Sequence, residues 1–127
     1  MRILIAGTGG VGGFFGAALA RAGHDVTFLA RGQNLAALRR SGLTVESVDG
    51  DFHVSRITAV DDVADLEPFG LVLFTVKSYD TAAVARQIAA VVREDTVVLS
   101  LQNGVENESL LASVLGLPPL MGAMTEI

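Results

Sequence analysis

Residues 2–31 read RILIAGTGGVGGFFGAALARAGHDVTFLAR, and their pattern decides the fold. Arg2 to Gly7 is a short apolar run closed by glycine, as a strand buried on both faces would be. From Val11 to Ala22 the large or apolar residues Val11, Phe14, Phe15, Ala18, Leu19 and Ala22 recur at helical spacing, and Gly23 stands at the C-terminal stop. Asp25 to Ala30 is a second strand-like burst. Half of the chain's 14 glycines fall in this stretch. A helix start crowded with glycine costs roughly 1 kcal/mol per residue relative to alanine, so something other than helix stability selects it.

Gly7-Thr8-Gly9-Gly10-Val11-Gly12 matches G-x-G-x-x-G, between a predicted strand and a predicted helix. In that context the pattern is a dinucleotide-binding fingerprint. Gly7 permits the tight turn out of the strand. Gly9 lets backbone approach a pyrophosphate. Gly12 lets the helix lie close to the sheet. The helix start offers unpaired N–H groups and a partial positive charge to phosphate. The alternative is a glycine-rich turn without a ligand. Gly13 and Gly16 continue a smooth helix face suited to packing against the first strand.

Arg31 lies 19 positions after Gly12, where this arrangement brings the second strand beside the adenosine ribose. An acid there accepts from the ribose hydroxyls and selects NAD; a guanidinium offers a charged fork to a 2′-phosphate and selects NADP. Asp25 cannot serve as that acid, because it begins the strand. The plainer reading of Arg31 is a solvated strand-end cation. Gln33 and Asn34 add polar contacts or begin the next helix.

The rest of the chain continues the alternation. Gln33 to Arg40 reads as a helix ending at Ser41-Gly42. LTVESVDGDFHVSR (43–56) reads as a hairpin around Asp49-Gly50. Asp61 to Leu66 is expected to form a short helix ended by Pro68. LVLFTV (71–76) and TVVLSL (96–101) are buried strands. Thr81 to Val92 and Glu106 to Leu115 are helices, and PLMGAMTEI (119–127) begins a last strand. Strands alternating with helices imply an α/β fold, Rossmann-type, with a mostly parallel sheet covered by helices on both faces.

Composition narrows the function. At 127 residues with 50% hydrophobic side chains and mean hydropathy +0.51, the chain can build one core. A net charge of -5 provides no overall basic field for nucleic acid. There is no cysteine, hence no thiol nucleophile or thiolate metal site. No signal-peptide pattern and no membrane-length apolar run are seen, so a cytoplasmic protein without membrane partners is the expectation. His24 reads as a turn residue and His53 as a hairpin residue, without metal-ligand spacing. Asp61-Asp62, Glu106 and Glu108 read as solvated acids or helix-start charges.

Ligands on such sheets bind beyond the C-terminal strand ends. There the third buried strand leads into Lys77-Ser78-Tyr79, and the fourth into Gln102-Asn103-Gly104. Singly, Lys77 can be a loop cation and Asn103-Gly104 a turn; with the glycine loop they form one constellation. The combination GTGGVGGFFGAALARAGHDVTFLAR (7–31), FTVKSYDT (74–81) and LSLQNGVENESLL (99–111) resembles the N-terminal domain of the ketopantoate reductase (2-dehydropantoate 2-reductase) family. The resemblance covers essentially the whole chain, and its two later motifs are more selective than the glycine loop.

The resemblance implies reduction of the 2-keto acid 2-dehydropantoate to pantoate with NADPH, on the route to pantothenate and coenzyme A. It implies a Rossmann domain, here residues 1–127, followed by a helical domain, with the active site between them. Gly7, Thr8, Gly9, Gly10, Val11 and Gly12 would hold the pyrophosphate and Arg31 the 2′-phosphate of NADP. Lys77 would lie near the adenosine ribose and phosphates, Asn103 near the nicotinamide ribose and the substrate, and Thr125 at the border of the nicotinamide pocket. The family's general-acid lysine and a substrate-binding glutamate belong to the second domain, so the chain reads as a fragment that binds cofactor without turning over. A homodimer fits the family. Other readings are a regulatory NAD(P)-sensing module, which would not need Lys77 or Asn103, and a different two-domain dehydrogenase of a hydroxy acid or sugar phosphate.

Overall fold

In a computed structural model, residues 1–7, 10–46, 50–75, 81–93 and 95–100 are described; of Gly10, Val11 and Thr81 only the backbone is. The apolar run at the start forms β1 (Arg2–Ala6), which is followed by α1 (Gly10–Arg21), β2 (Asp25–Leu29) and α2 (Gly32–Ser41). A hairpin, β3 (Leu43–Val45) and β4 (Phe52–Val54), precedes β5 (Thr58–Val60) and β6 (Leu71–Phe74). Then come α3 (Thr81–Ile88), a 3-10 turn (Ala89–Val91) and β7 (Val97–Ser100).

Five strands form one parallel sheet in the order β5-β2-β1-β6-β7. The order reverses at β1. Right-handed crossovers then put α1 and α2 on one face and α3 on the other. The packing agrees. Ile3, Ile5, Val26, Phe28 and Leu73 face Leu35 and Leu38 of α2 and Phe15 and Leu19 of α1. Leu4, Ala6, Val72, Phe74 and Val98 face Ala85 and Ile88 of α3 and Val91 of the 3-10 turn. Strands covered on both sides need apolar residues at every position, which is why RILIA and LVLF show no alternation.

Two expectations need correction. Asp61 to Leu66 forms no helix. Ala64 N–H donates to Asp62 Oδ1 at 3.0 Å and Leu66 N–H to the Val63 carbonyl at 3.0 Å, giving a turn. Six residues cannot repay helix nucleation, and this connection must also bury Val63 and Phe69, at 0% and 2% exposure. Arg2 holds its far end, donating to the carbonyls of Pro68 and Glu67 with its guanidinium 4.5 Å from the Phe69 ring centre. The second correction is to the helix expected from Thr81 to Val92. It tightens after Ile88 into the 3-10 turn, and Val92 is extended. β5 was not anticipated. It pairs with β2, and Arg39 of α2 donates to its Ala59 carbonyl at 3.0 Å. The two strands of the expected hairpin pair antiparallel, with Leu43 opposite Val54 and Val45 opposite Phe52; Asp49 lies outside the described residues. The expected helix at Glu106 to Leu115 and the final strand lie outside the described residues.

Candidate cofactor site

Ala6 is in register with Leu29 of β2 on one side and with Phe74 of β6 on the other. Gly7, Arg31 and Thr75 therefore leave the sheet at the same edge, where the strand order reverses. In doubly wound sheets this is where a crevice opens.

Gly7 has φ 107, a left-handed backbone that side chains other than glycine rarely adopt. α1 begins three residues later, at Gly10. A Cβ on Gly12 would overlap the Gly7 carbonyl oxygen and Thr75 Oγ1 and lie 3.2 Å from the Gly7 carbonyl carbon. Gly12 thus lets the helix start sit on the turn, as its place in the fingerprint requires. Gly16, one turn further, does the same for the helix body: its Cβ would stand 2.5 Å from two ring carbons of Phe28 and 3.0 Å from Ile5 Cγ1. The first turn of α1 carries no acidic residue, so nothing there opposes an anion drawn to the helix start.

Thr75 links the turn to β6. Its N–H donates to the Ala6 carbonyl at 2.9 Å, continuing the ladder one residue beyond the strand. Its hydroxyl lies 2.8 Å from the Gly7 carbonyl oxygen and 3.1 Å from that of Ala6. A hydroxyl has one proton to give, and the shorter contact is to Gly7. Sequence reasoning passed over this residue. Its signal is a polar side chain closing an apolar strand, Leu71 to Phe74.

Arg31 occupies the N-cap position of α2 with extended backbone, φ -148 and ψ 163, and is exposed. Gly32 follows with φ 62, so the chain turns sharply just beyond the arginine. Asp25 is at the opposite edge, 3.4 Å from the Arg2 guanidinium, as its place at the strand start implies. His53 pairs across the hairpin with Thr44, Nδ1 to Oγ1 at 2.7 Å, and His24 is exposed between α1 and β2. Among the described residues no group of three His, Cys, Asp or Glu could hold a metal ion, and no helix is long and apolar enough to cross a membrane. Thr8, Gly9, Lys77, Asn103 and Thr125 lie outside the described residues, as do Gln102, Glu106 and Glu108.

The strand order and the glycine turn at its reversal define a doubly wound, Rossmann-type domain. Residues 3–127 match the family model described as ketopantoate reductase PanE/ApbA, and the chain belongs to that family. It is 35% identical over 120 residues to the 2-dehydropantoate 2-reductase of a Nostoc species, covering 94% of this chain and 37% of that one. With the 2-dehydropantoate 2-reductase of Archaeoglobus fulgidus it shares 41% identity over 111 residues, covering 87% of this chain and 35% of the relative. The crystal structure of 2-dehydropantoate 2-reductase from Geobacter metallireducens superposes with a TM-score of 0.87 at 36% identity, covering 96% of this chain and 40% of that one. The chain therefore spans little more than a third of the length of the curated relatives it matches.

Proposed function

We propose that residues 1–127 form the NADPH-binding domain of a cytoplasmic reductase that converts 2-dehydropantoate to pantoate. The observation that carries this reading is the pairing, on one sheet edge, of the Gly7 to Gly12 turn with an arginine at the end of β2. The site fits the cofactor on its own geometry: a left-handed Gly7, a Gly12 with no room for a side chain, and an acid-free helix start. In this reading the N–H groups from Gly7 through Gly12, including Thr8, Gly9, Gly10 and Val11, hold the pyrophosphate. Arg31 neutralises the 2′-phosphate. Lys77 meets the adenosine-side ribose and phosphates, Asn103 the nicotinamide ribose and the substrate, and Thr125 the edge of the nicotinamide pocket.

When bound, the cofactor supplies hydride to the keto carbon. Negative charge then grows on the keto oxygen, and a positioned acid must protonate it. Lys77, the only lysine of this chain, is assigned to the cofactor; the family resemblance implies that the general-acid lysine belongs to a helical domain following this one. The test is a turnover assay of the full-length protein, following NADPH fluorescence with 2-dehydropantoate. Consumption of NADPH that depends on the keto acid is expected. Tight NADPH binding with no consumption would rule out this substrate.

A further inference from the structure

We infer that Thr75 is a positioning residue for the dinucleotide pyrophosphate, an assignment that rests on the cofactor reading above. Its hydroxyl donates to the Gly7 carbonyl at 2.8 Å, within the range of a good O–H···O bond. That carbonyl belongs to the left-handed glycine that opens the turn. Holding the Gly7 carbonyl toward β6 fixes the backbone of that glycine where the turn leaves β1.

The bond has a second effect. A carbonyl oxygen left without a donor beside a pyrophosphate would repel it, and engaging that oxygen removes the conflict. Thr75 also touches the space that a Gly12 side chain would need. One hydroxyl thereby sets the distance between β6, the turn and the first residues of α1. It connects the two strands that flank the reversal of strand order, and no neighbour in sequence could do this.

Thr75→Val keeps the β-branched shape and removes the donor; Thr75→Ser keeps the donor. The two variants and the parent chain are titrated by calorimetry with NADPH and with adenosine 2′-monophosphate, which has the 2′-phosphate and no pyrophosphate. Thermal melts establish that each is folded at the titration temperature, with Thr75→Ala standing in if Thr75→Val does not fold. Leaving the half-buried Gly7 carbonyl without its donor beside the pyrophosphate is expected to weaken NADPH binding roughly 5- to 150-fold, the equivalent of about 1–3 kcal/mol. We expect NADPH to bind Thr75→Val about tenfold more weakly, adenosine 2′-monophosphate to be unchanged within about twofold, and Thr75→Ser to restore NADPH affinity. Equal loss for both ligands would mean general loosening of the fold and would overturn the assignment. So would undiminished NADPH binding by Thr75→Val, or failure of Thr75→Ser to rescue. A parent chain that binds no NADPH would overturn the cofactor reading and this one together, whereas the other outcomes bear on Thr75 alone.

Discussion

Gly16→Ala offers a quantitative test of how α1 is seated. Alanine favours a helix interior over glycine by about 1 kcal/mol, so propensity alone predicts a more stable protein. The packing predicts the opposite. The new methyl would stand 2.5 Å from both Cε1 and Cζ of Phe28, against an optimum of about 3.5–4.0 Å. It must retreat by roughly 1 Å from a rigid ring, while Ile5 Cγ1 lies 3.0 Å away. Phe28 is fully buried on the sheet face that α1 and α2 cover. Overpacking of this kind costs about 1–3 kcal/mol, and the rigid, enclosed ring puts it at the upper end. Net of propensity, a loss of about 2 kcal/mol remains, or roughly 7 °C in Tm for a chain of this size. Thermal and urea melts of Gly16→Ala, Phe28→Leu and the double variant read it directly. The double variant should be less destabilised than the sum of the singles by about 1 kcal/mol or more. A higher Tm for Gly16→Ala, or simple additivity, would refute the packing.

Three further outcomes are expected. Arg31→Asp should weaken NADPH binding by tenfold or more and leave NADH unchanged or tighter, because the new carboxylate repels a 2′-phosphate and accepts from ribose hydroxyls; parallel titrations decide it. Gly12→Ala drives a methyl into the Gly7 backbone, which cannot swing aside as a side chain can. It should abolish measurable NADPH binding and cost at least about 2 kcal/mol in a urea melt. Ser100→Ala should raise stability by about 1 kcal/mol, because the Ser100 hydroxyl, buried at the end of β7, has no hydrogen-bond partner among the described residues; a lower Tm would contradict this.

The parts of the fold legible in sequence are those set by local sterics. RILIA reads as a doubly covered strand and Gly7 as a tight turn, and the structure has both. β5 was hidden because Thr58 to Val60 is too short to announce itself and exists as a strand through its ladder to β2 and the reach of Arg39. The acidic stretch at Asp61 resembled a helix start, but the pull of Val63 and Phe69 into the core shapes that connection instead. At the site, Gly12 and Arg31 were legible because their spacing follows from the length of one helix and one strand. Thr75 was not: its partner is 68 positions away, joined to it only through the pairing of β1 with β6. Lys77, Asn103 and Thr125 were marked by motif alone.

The central claim is that the glycine turn and Arg31 together receive a phosphorylated dinucleotide. Titration of the chain with NADPH and NADH under identical low-salt conditions tests it most directly. Charge-assisted hydrogen bonds from one guanidinium contribute about 1.5–3 kcal/mol, so NADPH should bind roughly ten to a hundred times more tightly, with the difference shrinking as salt is added. Equal affinities for the two at low salt would contradict the account.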